Sequence, residues 1–181
     1  MHLSQIASQN PNKPAYIMAG SGQTVTYEGL EAGSNQLAQL FRSLGLMRGD
    51  HIAILLENHA LFLQICVAAQ RAGIYYTAIS YRLQSDEVEY IVNDCGARVF
   101  ITSIDRRAVV EPLIGRLENL DQFFMLDGVI AGVGSLEAAM SNQSTQMIED
   151  ESIGTSMLYS SGTTGRPKGV YRQLPEGVWG E

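Results

Sequence analysis

Residues 159–170 combine glycines, hydroxyl side chains and cations in the manner of an anion-binding loop. The stretch reads Tyr-Ser-Ser-Gly-Thr-Thr-Gly-Arg-Pro-Lys-Gly-Val and follows directly on an apolar run that predicts a strand. Glycines let the backbone take positive φ and bring its N–H groups close to a ligand. Hydroxyl groups donate hydrogen bonds to phosphate oxygens, and Arg166 and Lys168 supply positive charge. The chemistry predicted for this stretch is therefore phosphate binding.

The stretch has two alternative interpretations, a Walker-type P-loop and a simple turn. In the Walker pattern a glycine is followed, after four residues, by Gly-Lys and then by Ser or Thr. Counted from Gly162, the second glycine position holds Pro167, and Gly169 stands where a magnesium-binding hydroxyl is needed. An ordinary P-loop is thus not predicted. A Gly- and Thr-rich turn that only links two strands is the other alternative, and the ten-residue combination favours the phosphate loop over it.

The elements that must position this loop alternate between strands and helices. Short β-rich or unbroken apolar runs predict strands at 15–18, 51–56, 74–79, 98–102, 122–126 and 155–159. Amphipathic spacing predicts helices between Thr26 and Gly45 and at 60–72, 85–94, 106–117 and 136–140. Because each helix returns the chain to the same end of the sheet, the alternation predicts parallel strands with right-handed crossovers. We expect an α/β fold, with a doubly wound, mostly parallel sheet flanked by helices.

Capping residues mark the ends of the predicted helices. Side chains that can accept a backbone hydrogen bond stand at three N-termini: Thr26, Asn58 and Ser85. Glycines that can take positive φ stand at three C-termini: Gly45, Gly73 and Gly96. The polar stretch 141–152, which includes the acidic run Glu149, Asp150 and Glu151, predicts a surface linker ahead of the last strand.

Composition narrows the classes of function. The chain has 181 residues, 45% of them hydrophobic, which suffices for one domain with a buried core. The net charge of -7, with only 12 Lys and Arg, argues against nucleic-acid binding, because phosphate contacts need clustered cations. The longest apolar run is far shorter than the about 20 residues needed to cross a bilayer, and no signal-peptide pattern opens the chain. We expect no transmembrane segment and a cytoplasmic location.

The cysteines and histidines give no sign of a metal site. Cys66 and Cys95 lie far apart without CxxC spacing, so both are interpreted as core thiols. The three histidines have neither an i, i+4 pair nor a carboxylate at ligand spacing, and no metal or base role is expected of them: His2, His51 and His59. The acidic run at 149–151 is interpreted as a solvated charge run rather than an acid and base pair.

The string Ser-Ser-Gly-Thr-Thr-Gly-Arg-Pro-Lys-Gly at 160–169 resembles the phosphate-binding signature of the adenylate-forming superfamily. That superfamily includes acyl-CoA synthetases, luciferases and peptide-synthetase adenylation domains. The rest of the chain is similar to its N-terminal domain in the order of landmarks such as Thr26-Tyr27, Gly49-Asp50 and Ala72-Gly73. The peptide-synthetase branch tends to follow the Ala-Gly landmark with Pro and then Asp, and 76–80 has neither, which favours the acyl-CoA branch.

The resemblance implies an ATP-dependent acid-thiol ligase. In the intact enzyme a carboxylic acid, fatty or aryl, would attack the α-phosphorus of ATP to give an acyl-adenylate and pyrophosphate, and the acyl group would pass to CoA. ATP, Mg²⁺ and CoA are the implied cofactors. The implied nucleotide contacts, carried over by position, are Ser160, Ser161, Gly162, Thr163, Thr164, Gly165 and Lys168. No residue of this chain is assigned a catalytic or a metal-binding role.

The resemblance also implies that 1–181 is only part of an AMP-binding domain, with its phosphate loop at 159–170. The superfamily's adenine and ribose motifs, hinge and catalytic lysine would all follow Glu181. We therefore expect the chain alone to be inactive, and the acid that is activated stays unidentified. The alternative is a non-catalytic module that folds and binds a partner or a nucleotide weakly. A sheet cut after a central strand leaves an exposed edge, so a homo-oligomer is expected.

Overall fold

The computed structural model describes residues 2–160 and 166–180. Its centre is a six-stranded parallel sheet with the strand order β7-β6-β5-β3-β4-β8. The strands are β3 (His51–Leu55), β4 (Tyr75–Ile79), β5 (Val99–Ser103), β6 (Gln122–Leu126), β7 (Gly134–Ser135) and β8 (Thr155–Ser156). The chain winds first to one side of β3 and then crosses to the other, as expected of a doubly wound sheet. The fold class expected from the sequence is confirmed.

Helices cover both faces of this sheet. One face packs against α2 (Tyr27–Ser43), α3 (Phe62–Arg71) and α6 (Leu136–Ser141), around a core that includes Phe41 and Ile65. The other face packs against α4 (Ser85–Asp94) and α5 (Arg107–Val110), around a core that includes Val88 and Phe100. Strands covered on both faces carry unbroken apolar runs, and this is why β3 and β5 show no alternation.

The N-terminal part adds a small hairpin to this layered structure. α1 (Leu3–Gln9) precedes β1 (Pro14–Ile17) and β2 (Thr24–Thr26), which pair antiparallel. The strand expected at 15–18 is confirmed with a shift of one residue, whereas α1 and β2 were not predicted. No helix within 2–160 and 166–180 is long and apolar enough to cross a membrane.

Some of the predicted helix ends are confirmed and others are wrong. The Thr26 hydroxyl accepts a hydrogen bond from the Gly29 N–H at 3.1 Å, as an N-cap should. Asn58 does not cap α3, which begins after Leu61. Ser85 does not cap α4 either: Gln84 does, and its N–H donates to Glu87 Oε2 at 3.0 Å. The three predicted glycine ends are confirmed, with φ of 76° at Gly45, 67° at Gly73 and 66° at Gly96.

The helix predicted at 106–117 is wrong in length. The chain forms a 3₁₀ turn at Ile104–Arg106, the four-residue α5, and a second 3₁₀ turn at Glu111–Leu113. Pro112 lies within the predicted span, and a proline there removes a backbone donor and clashes with the preceding turn. Periodicity alone therefore overestimated this helix.

The polar stretch before the last strand is more buried than predicted. Ile148 is buried, and the Asn35 amide on α2 donates to the Thr145 carbonyl at 2.9 Å. Glu151 is not part of a solvated run, because its side chain is 9% exposed and lies 3.4 Å from the Arg71 guanidinium. The stretch packs alongside α2, and side-chain amides of that helix donate hydrogen bonds to its carbonyl groups in place of water.

Candidate nucleotide-binding site

The strand expected at 155–159 is two separate strands, and the break between them creates the site. β8 pairs parallel with β4, and β9 (Leu158–Ser160) then pairs antiparallel with β10 (Lys168–Val170) in a ribbon of its own. Met157 joins the two strands, and its N–H donates to the Tyr76 carbonyl at 3.0 Å. The β9–β10 ribbon therefore leaves the sheet at the carboxyl end of β8, opposite the middle of β4. Open α/β sheets bind ligands at the carboxyl ends of their strands.

Two of the seven expected nucleotide contacts lie on this ribbon. Ser160 and Lys168 are opposite each other in its register, and both are exposed. The other five lie outside the described residues: Ser161, Gly162, Thr163, Thr164 and Gly165. Ser160 and Lys168 are the first and the last of the seven expected contacts in the sequence. The structure places them opposite each other on the ribbon.

The two faces of the ribbon have different surroundings. Successive residues of a strand point to opposite faces, so Ser160 and Lys168 share one face while Tyr159 and Gly169 share the other. On the second face the partners are in close contact: a Cβ on Gly169 would lie 2.5 Å from Met157 Cε and 3.1 Å from the Tyr159 ring. Tyr159 packs there against the core beneath α4. The hydroxyl and the ammonium group are consequently held on the face away from the core.

The ends of the undescribed stretch lie against α4. The Tyr159 hydroxyl donates a 2.5 Å hydrogen bond to Asp94 Oδ2. The Arg166 guanidinium lies 5.3 Å from the ring centroid of Tyr90. Burial raises the pKa of the Tyr159 phenol, and the Asp94 carboxylate raises this pKa further, so the phenol remains protonated and can act as the donor. These contacts could not be predicted from the sequence, because a helical pattern at 85–94 does not indicate which distant segment will contact Tyr90 and Asp94.

A cleft of about 780 Å³ opens at the carboxyl ends of β3 and β4. Its lining combines apolar side chains such as Met18, Phe62 and Ile79 with polar ones such as Glu57, Asn58 and Ser80. Glu57 accepts a hydrogen bond from Ser103 Oγ at 2.8 Å. A mostly apolar cleft with a few polar groups is the usual form of a small-molecule site. This one lies at the same edge of the sheet as the ribbon.

Two of the three histidines lie beside carboxylates in the part of the chain that the structure describes. His59 Nε2 lies 3.0 Å from Asp127 Oδ2, and its Nδ1 accepts from the Leu61 N–H at 3.1 Å. His2 Nε2 lies 3.0 Å from Glu151 Oε2. Both histidines therefore have carboxylate partners that the sequence pattern missed, because these partners lie far away along the chain. Desolvation lowers the pKa of His51, which stacks on Tyr75.

The described residues fit a phosphate better than they fit a metal ion. An exposed hydroxyl donor beside an exposed ammonium group suits phosphate oxygens. Within 2–160 and 166–180, no group of three or more His, Cys, Asp or Glu side chains could hold a metal ion. The two cysteines are buried and free, as expected. Burial raises the pKa of the Cys66 thiol to about 12 and that of Cys95 to about 11.

Comparison with known proteins identifies the family. The family described as AMP-binding enzyme matches residues 3–174. Long-chain-fatty-acid–CoA ligase FadD13 from Mycobacterium tuberculosis is 28% identical over 171 residues, which cover 93% of this chain and 33% of the relative. Human long-chain fatty acid transport protein 1 is 28% identical over 173 residues, covering 90% of this chain and 27% of the relative.

The solved structures agree with this result. The anthranilate CoA ligase AuaEII, in complex with anthranoyl-AMP, superposes with a TM-score of 0.83 at 26% identity, over 93% of this chain and 33% of that one. A Mycobacterium tuberculosis fatty acyl CoA synthetase gives a TM-score of 0.76 at 25% identity. The chain thus spans about a third of the length of the relatives that it matches. Since the family match extends over nearly the whole sequence, this chain belongs to the AMP-binding enzyme family of adenylate-forming ligases.

Proposed function

We propose that this chain is the N-terminal, phosphate-binding segment of an ATP-dependent acyl-CoA ligase. The reaction of the whole protein would join a carboxylic acid to ATP, releasing pyrophosphate and forming an acyl-adenylate, and would then transfer the acyl group to CoA. The observation that carries the proposal is the pairing of Ser160 with Lys168 at the carboxyl edge of the sheet, on the ribbon face away from the core. Membership of the family supports the reaction class.

The role of the ribbon in this reaction is to hold phosphate groups. The Lys168 ammonium group and the Ser160 hydroxyl would contact phosphate oxygens of ATP. Adenylyl transfer builds negative charge on the departing pyrophosphate, so a fixed cation stabilises the transition state more than the ground state. Placing Lys168 on a paired strand limits the reorganisation that this stabilisation requires.

The substrates follow from the relatives in general terms. FadD13 is named for long-chain fatty acids and AuaEII for anthranilate, so a fatty or an aryl acid is proposed for the whole protein. CoA is the proposed acyl acceptor. The described residues offer no cluster of carboxylates for Mg²⁺. The ion would be held by the phosphates and by groups outside the described residues. The cleft at the carboxyl ends of β3 and β4 would hold an apolar part of a substrate.

A lysine-directed ATP probe tests the proposal on the chain itself. The chain has only two lysines, Lys13 and Lys168. An acyl-phosphate derivative of ATP transfers its acyl group to a lysine amine near the bound phosphates, and mass spectrometry identifies the lysine. We expect labelling of Lys168 that excess ATP suppresses, with Lys13 as an internal control that stays at background. Equal labelling of both lysines, or labelling of Lys168 that ATP leaves unchanged, would refute phosphate binding by this ribbon.

The non-catalytic module is the second candidate, and it shares the fold and the phosphate site. Reading the DNA beyond the codon for Glu181 separates the two. An open frame that encodes the adenine and ribose motifs and the catalytic lysine supports the ligase. An immediate stop codon supports the module, even if Lys168 is labelled.

A further inference from the structure

One face of α4 contacts both ends of the candidate phosphate loop. Tyr159 precedes the undescribed stretch and Arg166 follows it. Tyr159 donates to Asp94 at 2.5 Å, and the Arg166 guanidinium lies 5.3 Å from the Tyr90 ring centroid. The Tyr90 hydroxyl in turn lies 3.5 Å from the second Asp94 oxygen, Oδ1. Four side chains therefore connect the two ends of the loop to a single helix.

Tyr90 and Asp94 can contact both Tyr159 and Arg166 because they are four positions apart on α4. Positions i and i+4 of a helix are neighbours on one face, so Tyr90 and Asp94 form one continuous surface. The opposite face of α4 is fixed in the core through Val88, Ile91 and Val92, each at most 2% exposed. A segment that rests on Tyr90 and Asp94 is consequently held against a rigid element.

The ribbon needs such support. A two-stranded ribbon is at best marginally stable by itself in water, and β9 and β10 have only three residues each. All the ribbon residues except Tyr159 are exposed. Met157 before β9 and Arg172 after β10 are hydrogen-bonded to β4, through Tyr76 and Tyr75. Between these points, the contacts of Tyr159 and Arg166 help to set the positions of Ser160 and Lys168.

We propose that Tyr90 and Asp94 are positioning residues for the β9–β10 ribbon, and so for Ser160 and Lys168, a role that rests on the phosphate-binding function proposed above. Asp94 holds Tyr159 through a charge-assisted hydrogen bond, and Tyr90 holds Arg166 through a cation–π contact. Because Tyr159 lies on the ribbon face opposite Ser160 and Lys168, the anchor directs these two side chains away from α4. Neither Tyr90 nor Asp94 contacts the nucleotide in this arrangement.

Hydrogen exchange measures the anchor without any ligand. In the chain as it stands, Tyr159→Phe and Asp94→Ala should each speed exchange of the backbone amides at 158–160, at 166 and at 168–170 about tenfold, the scale of a lost hydrogen bond to a charged group. The double variant should exchange no faster than the single variants, since one bond is lost in all three. Asp94→Asn keeps an acceptor oxygen and should fall between Asp94→Ala and the unaltered chain.

Asp86→Asn is the matched control, because Asp86 is an acid on the same helix whose side chain is 92% exposed. It should leave exchange of the ribbon unchanged. The thermal midpoint should move little in the Asp94 variants, since Asp94 is exposed, and this separates positioning from general loss of stability. The ATP-probe labelling of Lys168 should fall in Asp94→Ala and recover partly in Asp94→Asn.

The outcomes separate this inference from the proposed function. If the variants exchange like the unaltered chain while Lys168 is labelled, the loop binds phosphate without help from α4 and the inference is overturned. Faster exchange that spreads over the whole chain would also overturn it. If exchange rises only at the ribbon but the unaltered chain is never labelled, the anchor stands and the phosphate-binding proposal fails.

Discussion

Ser160 and Lys168, eight positions apart in the sequence, are direct partners across the β9–β10 ribbon. Side chains at such paired positions lie on one face with Cβ atoms about 5 Å apart, so a hydroxyl and an ammonium group can reach the same phosphate. The ribbon can hold this pair at the edge of the sheet only if β8, just before it, is correctly seated. Stability of the segment 152–157 and function of the ribbon are therefore linked.

Gly154→Ala should destabilise the fold. Gly154 is buried, and a Cβ there would lie 2.4 Å from both the Ala69 and the Ile74 carbonyl oxygens, which are backbone atoms that cannot rotate away. Overpacking against backbone should lower the free energy of unfolding by about 3 kcal/mol, measured by urea denaturation. Gly20→Ala is the control, because a Cβ at Gly20 meets nothing within 4 Å. Equal midpoints for the two variants would show that the chain can shift at Gly154 without cost.

Arg71→Ala should be destabilising for an electrostatic reason. The Arg71 side chain is 0% exposed and pairs with Glu31 Oε2 at 2.7 Å and with Glu151 Oε1 at 3.4 Å. Its removal leaves the nearly buried Glu31 carboxylate without a cation and Glu151 with only His2 beside it. This should lower the free energy of unfolding by about 3–5 kcal/mol. Urea denaturation at neutral pH measures the loss.

Arg107→Ala is the matched control for Arg71→Ala. Its ion pair with Glu111 also involves an arginine and a glutamate, but the two side chains are 57% and 49% exposed. Exposed pairs contribute little because water screens them, so its denaturation midpoint should match that of the unaltered chain. A small effect at Arg71, similar to that at Arg107, would mean that water reaches the carboxylates of Glu31 and Glu151.

Structural features that depend on residues near each other in the chain could be predicted from the sequence, and features that depend on distant residues could not. Local patterns predicted five of the strands, which are β1, β3, β4, β5 and β6. They also predicted several helix ends, such as those at Thr26 and Gly45. The separation of β8 from β9 could not be predicted, because the run 155–159 is continuous and only pairing with β4 and β10 divides it. Local patterns cannot specify which distant strand supplies the partner.

In the candidate site, too, local composition was informative and long-range contacts could not be predicted. The loop composition predicted which residues should meet phosphate, and Ser160 and Lys168 were among them. The Tyr159–Asp94 contact spans 65 positions and the His59–Asp127 contact spans 68, and neither leaves a mark in the spacing of the sequence. Glu151 was misjudged for the same reason, since its counterion Arg71 comes from a helix far upstream.

Stability should fall as the pH rises above about 9, because the thiols are held protonated in the fold. Burial raises the pKa of Cys66 to about 12 and that of Cys95 to about 11, from an ordinary value of 9.0. The unfolded chain therefore loses these protons first, so the stabilisation is complete below pH 9 and is lost as the pH rises towards the folded values. Urea denaturation at several pH values between about 8 and 10 measures the slope.

The variants that separate the thiols from other groups are Cys66→Ala and Cys95→Ala. Combined, they should give a shallower decline of stability with pH, and each should also be destabilising at neutral pH because it leaves a small cavity. In the unaltered chain both thiols should resist alkylation near neutral pH and react once urea unfolds the chain. Rapid alkylation of the folded chain would contradict the burial on which the slope depends.

Lys168→Ala should slow adenylation in a full-length ligase that contains this segment. If Lys168 stabilises charge on the departing pyrophosphate, its loss should lower the turnover number about a hundredfold, or about 3 kcal/mol, with a smaller effect on binding of the acid. We expect Thr163→Ala to have an effect of similar size, from the contact implied by the family signature, although Thr163 lies outside the described residues.

Lys13→Ala is the matched control, because Lys13 is exposed in the N-terminal hairpin region, outside the ribbon. The measurement is acid-dependent exchange of labelled pyrophosphate into ATP. Should Lys168→Ala retain the rate of Lys13→Ala, the phosphate contact would have to be assigned to other residues, and the ribbon would be a support for the loop rather than a part of the site.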